Sequence, residues 1–304
     1  MSIKPEPPFV VSAHLHDVPP SDAVDLVFAP PPASRARILH FAHAHALLLA
    51  RRDPVLAGSF ARADAVFPDG IGVRLASRIL GCNVRHNVNG TDLLPLLCER
   101  AVRESWPLVL VGGAEGVAAL CAAHLCRRYP GLSVPIATHG FGSHDESVRV
   151  ADAIASLGRV LVLVGMGSPL QELWTHRYLA QASGATALTV GGLFDFYSGR
   201  MRRAPFAVRA LRCEWMFRLA LEPRRLSRRY LVGGPAFLGT AVWDRVTGRI
   251  TRAGAPTATM PRGTMPRTTL DAPTKAPAPT SAPARIVTPL AMTAPSPMRV
   301  PPPR

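Results

Sequence analysis

The sequence predicts an α/β fold, with a doubly wound, mostly parallel, Rossmann-like sheet. Four apolar runs of strand length end in glycines or an acid, within 65–73, 108–113, 160–167 and 188–195. Uninterrupted apolar runs are typical of parallel strands that are buried on both faces. Segments with helical spacing alternate with these runs, as in βαβ units. Ligands of such sheets bind beyond the carboxyl ends of the strands, where the glycines and acids lie.

Start and stop signals predict the elements between these runs. Asn89 and Thr91 are alternative N-caps for one helix, and Tyr-Pro-Gly at 129–131 ends another. The predicted segments are a helix over 34–52, a helix over 73–80, a helix from about 89 to 105, a helix from 116 to 129, a strand over 134–137 and a strand over 160–164.

Composition divides the chain into four parts. Residues 1–33 form a Pro-rich, flexible N-terminus, and 34–196 form the α/β core. Residues 197–247 are an Arg-rich helical appendage. Residues 248–304 consist mainly of Pro, Ala, Thr and Met, cannot bury a core, and are expected to be disordered.

The charge of the chain predicts an anionic partner. The 304 residues carry a net charge of +15, and all but Lys4 and Lys275 of the 35 basic residues are arginines. Such a balance is typical of proteins that bind nucleic acid, phosphate-bearing substrates or acidic lipid. The N-terminus lacks a signal-peptide apolar region, and no run approaches the roughly 20 apolar residues of a spanning helix. We therefore expect a cytoplasmic protein, or one that lies on the inner face of the cell membrane.

Neither the cysteines nor the histidines favour a metal site. The five cysteines form no C-x-x-C pair and are expected to be free thiols. Three histidines fall at 40, 43 and 45, but two of them would point to different sides of a helix.

The Arg-rich appendage is expected to bind a membrane. Residues 197–230 contain ten arginines, with large apolar residues between them, against Glu214 and Glu222. A basic amphipathic segment of this kind is typical of proteins on anionic membranes. Nucleic-acid binding is the alternative, but no recognised reader motif accompanies the charge.

Candidate site residues lie where the predicted strands end. Asp69 follows the first apolar run and is the chemical centre of the predicted crevice. The Gly-Gly-Ala-Glu-Gly turn at 112–116 is typical of phosphate-binding turns and equally of tight βα packing. Gln171 is either a capping-box residue after Ser168 and Pro169, or an amide that contacts a ligand. The residues expected at this edge are Asp69, Gly112, Gly165, Gln171 and Asp195.

The ordered motifs resemble those of the WecG/TagA/CpsF glycosyltransferases, glycosyltransferase family 26. Matching segments include Ala-Arg-Arg-Asp-Pro at 50–54, Ala-Asp-Ala-Val-Phe-Pro-Asp-Gly-Ile-Gly at 63–72 and Asn-Gly-Thr-Asp-Leu at 89–93. Further matches are Val-Gly-Met-Gly-Ser-Pro-Leu-Gln-Glu at 164–172, Val-Gly-Gly-Leu-Phe-Asp-Phe at 190–196 and arginine-containing segments at 203–205, 213–218, 222–225 and 228–230. The resemblance covers about residues 36–240.

This resemblance implies an inverting transferase that moves a sugar from a UDP-sugar to a polyprenyl-diphosphate-linked sugar at the membrane. The sugar would be N-acetylmannosamine, glucose or a uronic acid. Asp69 would be the general base, and no metal is expected because the sequence contains no D-x-D. The implied donor-binding residues are His43, Gly112, Gly113, Gly165, Gly167, Gln171 and Asp195. Asn87, Arg218, Arg225 and Arg228 would meet the acceptor, its diphosphate or the membrane.

Three positions depart from the family pattern and leave alternatives open. Phe41 and His43 occupy positions where the family commonly has Thr and Asn, and Asn87 stands where an Arg is frequent. A degenerate member that binds sugar nucleotide or membrane without turnover is therefore the second hypothesis. A nicotinamide-dependent oxidoreductase is the third, although no full G-x-G-x-x-G follows a first strand. No nucleic-acid partner is expected, and the sequence allows a homo-oligomer.

Overall fold

A six-stranded parallel sheet forms the centre of the molecule. The computed structural model describes residues 9–201, 204–205 and 214–249. The strands are Arg37–His43 (β3), Ala65–Asp69 (β4), Leu108–Gly112 (β5), Ile136–Thr138 (β6), Val160–Gly165 (β7) and Ala185–Thr189 (β8). Their order across the sheet is β4-β3-β8-β7-β5-β6, and a small antiparallel hairpin, Phe9–Val10 (β1) and Ala13–His14 (β2), lies outside it. The predicted α/β class is confirmed.

Helices cover both faces of this sheet. They are α1 (Pro20–Phe28), α2 (Ala44–Ala50), α3 (Pro54–Arg62), α4 (Ile71–Leu80), α5 (Gly90–Glu104), α6 (Val117–Arg128), α7 (His144–Ser156), α8 (Leu170–Trp174), α9 (Leu193–Tyr197), α10 (Glu214–Leu221), α11 (Pro223–Ser227) and α12 (Gly233–Val246). A π-helical turn follows α8 at Thr175–Leu179, and another follows α11 at Arg228–Val232. Asn89 is the N-cap of α5, as one of the two alternatives predicted.

Alternate side chains of each strand enter different cores. In β3, Leu39 and Phe41 pack in a cluster with α1, α5, α6 and α9. Ile38 and Ala42 enter the clusters on the opposite face, which include α2, α3, α4 and α7. Because successive strand residues point to opposite faces, a strand apolar on both sides requires helices on both sides.

The helix predicted over 34–52 is wrong in its first half. Residues 37–43 form β3, a strand between β4 and β8, and only Ala44–Ala50 is helical. A short apolar run does not distinguish a buried strand from a buried helix by periodicity. His40 consequently lies in the strand, where its ring contacts Thr189 and His176.

The prediction of a flexible N-terminus is wrong for residues 9–33. Val10 and Leu15 are fully buried against α2, α3 and α4, and α1 buries Val27 beneath the sheet. Proline does not prevent this packing, since Pro20 occupies the first position of α1, where no backbone N–H is needed. Residues 1–8 lie outside the described residues.

The last helix of the appendage is part of the core. Phe237, Ala241 and Asp244 lie on one face of α12 and are fully buried against α2 and α4. Their spacing of four and three residues is the helical pattern of a buried stripe. Among the described residues, no helix combines the length and the apolar character needed to cross a membrane. The predicted disorder of 248–304 falls, from residue 250 onward, outside the described residues.

Candidate functional site

A large cleft opens at the carboxyl ends of the strands, as predicted. Its volume is about 1500 Å³, and its wall includes the ends of β3, β4, β7 and β8. The appendage forms the opposite wall, with Arg218, Arg229 and Tyr230. Ligand pockets for a single small molecule usually measure about 300–1,000 Å³, so this cleft is larger than a pocket for one such ligand.

Asp69 stands on the rim of this cleft, at the turn from β4 into α4. Gly70, which follows it, has φ +90°, a conformation that favours glycine, and α4 begins one residue later. In the sheet Asp69 pairs with His43, the last residue of β3. Neighbouring strands lie about 4.8 Å apart, so the turn places a carboxylate and an imidazole side by side.

Asn87 holds the turn that carries Asp69. Its Oδ1 accepts a hydrogen bond of 2.6 Å from the N–H of Gly70, while the residue also lines the cleft. An arginine at this position would have no acceptor atom for that N–H. Asn87, which was predicted to meet the sugar acceptor, therefore also holds the adjoining turn in place in this chain.

The loop that contains Asn87 is itself held by Asp17. The Asp17 carboxylate accepts hydrogen bonds from the N–H of Arg85 at 3.0 Å and from the N–H of His86 at 2.8 Å. The His86 ring contacts the same carboxylate at 3.0 Å through Nδ1. Sequence reasoning missed Asp17 because it lies in a segment interpreted as flexible. The N-terminus thus supports, through one loop, the turn that carries Asp69.

His43 ends β3 and faces the appendage. Its Nδ1 accepts from the N–H of Ala46 at 3.0 Å, and its Nε2 lies 2.9 Å from Nη2 of Arg229. Burial, followed by the charges of Arg229, His45 and Arg218, holds the pKa of His43 well below its usual value. A neutral imidazole has only one acceptor nitrogen. Since Nδ1 accepts from Ala46, Nε2 carries the proton and faces the N–H of Arg229, so two donors face each other. An anion beside them that accepts hydrogen bonds from both the ring and Arg229 would relieve that opposition.

The glycines at the strand ends allow close backbone packing. A Cβ on Gly112 would overlap the carbonyl of Gly165, and Gly112 does not line the cleft. Tight packing of β5 on β7 explains this glycine, and its contact with a donor stays a prediction. Gly113, Gly165 and Gly167 line the cleft, and Gly113 N–H donates to Gly165 O at 2.8 Å.

Gln171 joins two loops at the floor of the cleft. Its Oε1 accepts from the N–H of Gly167 at 3.2 Å and from the N–H of Gly191 at 2.9 Å. The capping-box interpretation is wrong, because Ser168 donates instead to the side chain of Glu172. Gln171 is buried but lines the cleft, so it fixes the backbone that forms the wall.

Glu172, beneath the cleft, is a fully buried acid. One carboxylate oxygen accepts from Ser168 and Gln171, both at 2.8 Å, and the other has no partner among the described residues. Burial raises the pKa of Glu172. Burial disfavours the charged form of this acid, and its hydrogen bonds with Ser168 and Gln171 join it to the 168–171 loop.

The appendage contributes arginines, but not all of those predicted. Arg218 lines the cleft above Gly192 with its guanidinium over the Phe196 ring, 5.3 Å from the centroid, and Asp195 lines the same region. Arg228 lines a neighbouring groove instead of the cleft, and Arg229, which sequence reasoning did not single out, lines both. The side chain of Arg225 lies outside the described residues.

No metal cluster occurs in the part of the chain that the structure describes. Groups of three or more His, Cys, Asp or Glu side chains that could hold an ion are absent there. Metal independence stays a prediction.

An acid at the edge of a doubly wound sheet, opposite arginines across a large cleft, is typical of a group-transfer enzyme that handles phosphorylated ligands. Comparison with known proteins identifies the family of transferases to which the chain belongs. Residues 9–251 match the glycosyl transferase WecG/TagA/CpsF family, and the chain belongs to it. The family resemblance of the sequence is confirmed.

Two curated relatives carry the same name, N-acetylglucosaminyldiphosphoundecaprenol N-acetyl-beta-D-mannosaminyltransferase. The relative from Bacillus spizizenii is 33% identical over 179 residues, which cover 59% of this chain and 69% of the relative. The relative from Bacillus subtilis (strain 168) is 31% identical over 163 residues, which cover 54% of this chain and 63% of the relative. This chain therefore spans less than two thirds of the second relative.

Proposed function

We propose that this protein transfers a sugar from a UDP-sugar to a sugar linked to a polyprenyl diphosphate, with inversion, in the synthesis of a cell-surface polysaccharide. The observation that carries the proposal is Asp69, on the rim of a cleft large enough for donor and acceptor. Family membership and the names of the relatives support the acceptor class. N-acetylmannosamine is the first donor sugar to test; glucose and uronic acids follow.

In the proposed reaction, Asp69 removes the proton from the acceptor hydroxyl. The hydroxyl oxygen forms a bond to the anomeric carbon as the bond from that carbon to the UDP oxygen breaks, and UDP leaves with the electron pair. A single displacement of this kind inverts the anomeric centre. General-base assistance of this type is worth about 10²–10⁴-fold in rate.

The departing diphosphate requires positive charge and N–H donors. Arg218 and Arg229 line the cleft from the appendage, and Arg218 Nε is buried without a partner among the described residues. The donor-to-donor contact of His43 and Arg229 favours an anion at the same place. These groups support binding of diphosphate without a metal ion.

The proposed location is the inner face of the cell membrane, with the appendage as the contact. Trp243 and Val246 on α12 are 61% and 77% exposed, and they lie three residues apart on one face. Arg245 and Arg249 flank them. Exposed aromatic and aliphatic side chains among cations are typical of proteins that bind anionic bilayers.

Sedimentation with phosphatidylglycerol vesicles tests this location. Trp243→Asp combined with Val246→Asp is expected to abolish binding. Leu120→Asp, a change of an equally exposed apolar residue on α6, serves as the control. Equal sedimentation of the double variant and the wild-type protein would contradict the membrane role of α12.

A donor screen tests the reaction. UDP release is measured with a lipid-diphosphate N-acetylglucosamine acceptor and a panel of UDP-sugars. Asp69→Asn is expected to lower turnover by about 100-fold or more while UDP still binds. Asp53→Asn is the matched control, because Asp53 caps α3 away from the cleft and Asn also caps helices. Undiminished turnover in Asp69→Asn would overturn the assigned base.

A non-catalytic member of the family is the second candidate. The rings of Phe41 and His43 line the cleft where the family commonly has smaller polar side chains. Binding of UDP-sugar without UDP release under every donor would favour this candidate. Release with any donor would remove it.

A further inference from the structure

A second groove adjoins the cleft behind the appendage. Its volume is about 560 Å³, within the range of about 300–1,000 Å³ typical of ligand pockets. Leu48 and Leu49 of α2 form one side, and Leu226, Val232 and Ala236 form the other. The groove is therefore an apolar channel between the core and the appendage.

Charge on this groove is of one sign. Arg52, Arg228 and Arg229 line it, and none of its described lining residues is an acid. Apolar walls with cationic edges match a ligand that has a hydrocarbon chain and an anionic head. A purely apolar ligand would not require the arginines, and a free phosphate would not require the leucines.

The groove and the cleft are continuous. His45 and Arg229 line both of them, so the two spaces meet at these side chains. A diphosphate beside Arg229 in the cleft would therefore have its substituent at the mouth of the groove. Ala236 lies seven residues before Trp243, about two turns, so the groove face of α12 continues onto the exposed apolar surface.

We infer that this groove binds the first isoprene units of the polyprenyl diphosphate acceptor, an assignment that rests on the proposed function. The chain leaves the cleft past Arg229, runs between α2 and α12, and emerges along the face that carries Trp243. The groove thereby selects acceptors by their hydrocarbon chain and aligns the diphosphate with the cleft.

Calorimetric binding of prenyl diphosphates tests the groove without requiring catalysis. Isopentenyl, geranyl and farnesyl diphosphate are titrated below their micelle concentrations into the full chain. Each buried methylene is worth about fourfold in affinity, so farnesyl diphosphate is expected to bind at least about tenfold more tightly than isopentenyl diphosphate. Affinity independent of chain length would overturn the inference.

Two variants place the effect in this groove. Ala236→Trp fills the channel from an exposed position and is expected to remove the gain from the longer chain. Val242→Trp adds the same side chain on a different face of α12, away from the cleft and the groove. This variant is expected to keep the gain in affinity from the longer chain. Val232→Asp, also at an exposed position, is a second disrupting variant. If both Ala236→Trp and Val232→Asp keep the gain in affinity with chain length, the groove is not the binding site of the prenyl chain.

The outcomes separate this inference from the proposed function. Chain-length-dependent binding in a protein that transfers no sugar would support the groove and reject the reaction. Transfer that is insensitive to acceptor chain length would support the reaction and reject the groove. Displacement of farnesyl diphosphate by an equal concentration of short-chain phosphatidylglycerol would identify a phospholipid as the occupant, and would overturn the assignment.

Discussion

The ion pair between Arg51 and Asp244 holds the C-terminal helix on the core. The guanidinium donates two hydrogen bonds to the carboxylate, at 2.7 and 2.6 Å. The Asp244 side chain is 1% exposed and that of Arg51 is 25% exposed. Arg51→Met keeps an apolar stem on α2 but leaves a carboxylate without its partner in a site closed to water.

The cost of this change follows from the burial of the pair. Removing one partner of a buried pair costs about 3–5 kcal/mol, and we expect the lower end, about 3 kcal/mol, because Arg51 retains contact with solvent. Since 1.4 kcal/mol is a factor of ten, the ratio of docked to undocked α12 falls by about 100-fold. Phe237 and Ala241 still hold the helix, so it opens locally while the sheet stays folded.

Native-state hydrogen exchange measures the effect. Amides of α12 are expected to exchange about 100-fold faster in Arg51→Met, whereas those of β5 and β7 change little. UDP release is expected to fall as well, since the appendage that carries Arg218 and Arg229 is loosened.

Arg35→Met is the matched control for this experiment. Arg35 makes a similar two-bond pair with Asp64 at 2.8 and 2.7 Å, but it is 46% exposed and its partner belongs to the core, not to the appendage. Exposed pairs are worth about 0–1 kcal/mol. Unchanged exchange across α12 in Arg51→Met, or an equal change in Arg35→Met, would refute the reasoning.

Three further predictions concern the cleft and its supports. Asp17→Ala is expected to lower kcat of UDP release about tenfold, because hydrogen bonds to a charged acceptor are worth about 1.5–3 kcal/mol. Asp17→Asn keeps an acceptor oxygen, so its kcat is expected to fall less. An equal loss of kcat in both variants would contradict a positioning role for Asp17. Gln171→Ala leaves two N–H groups unpaired, so Tm is expected to fall by roughly 5–10 °C in thermal unfolding, and an unchanged Tm would contradict this account. Burial and the charge of Arg62 lower the pKa of His176 to about 4. As the pH falls, His176 takes up its proton in the unfolded chain, near pH 6.5, before it does so in the folded protein. The contribution of neutral His176 to the free energy of unfolding is therefore complete above about pH 6.5 and is lost as the pH falls toward 4. His176→Gln should reduce that loss in urea unfolding at pH 7.5 and 5, and an unaltered pH dependence would exclude His176 as its source.

The sequence alone determined the fold class and the central acid. Apolar runs of strand length ending in glycine are local features, and they are unaffected by how the elements pack. Asp69 follows such a run directly, so its place at the carboxyl edge follows from strand direction alone. The order of the family motifs is likewise a property of the chain itself.

The tertiary structure decided which residues that are far apart in the sequence contact and support one another. Asp17 supports a loop near residue 86, and Arg51 holds a helix near residue 244. No local periodicity encodes such partners, because they depend on how separate segments meet after folding.

Tertiary packing also decided the secondary structure of β3 and the choice among neighbouring arginines. The run at 37–43 is a strand because β4 and β8 offer hydrogen bonds on both sides. Arg229 lines the cleft and the groove, whereas Arg228 lines only the groove, although the two residues are adjacent in the turn at Arg228–Val232. Composition identified a cationic segment, but only the docking of that segment on the core decides which side chain meets His43.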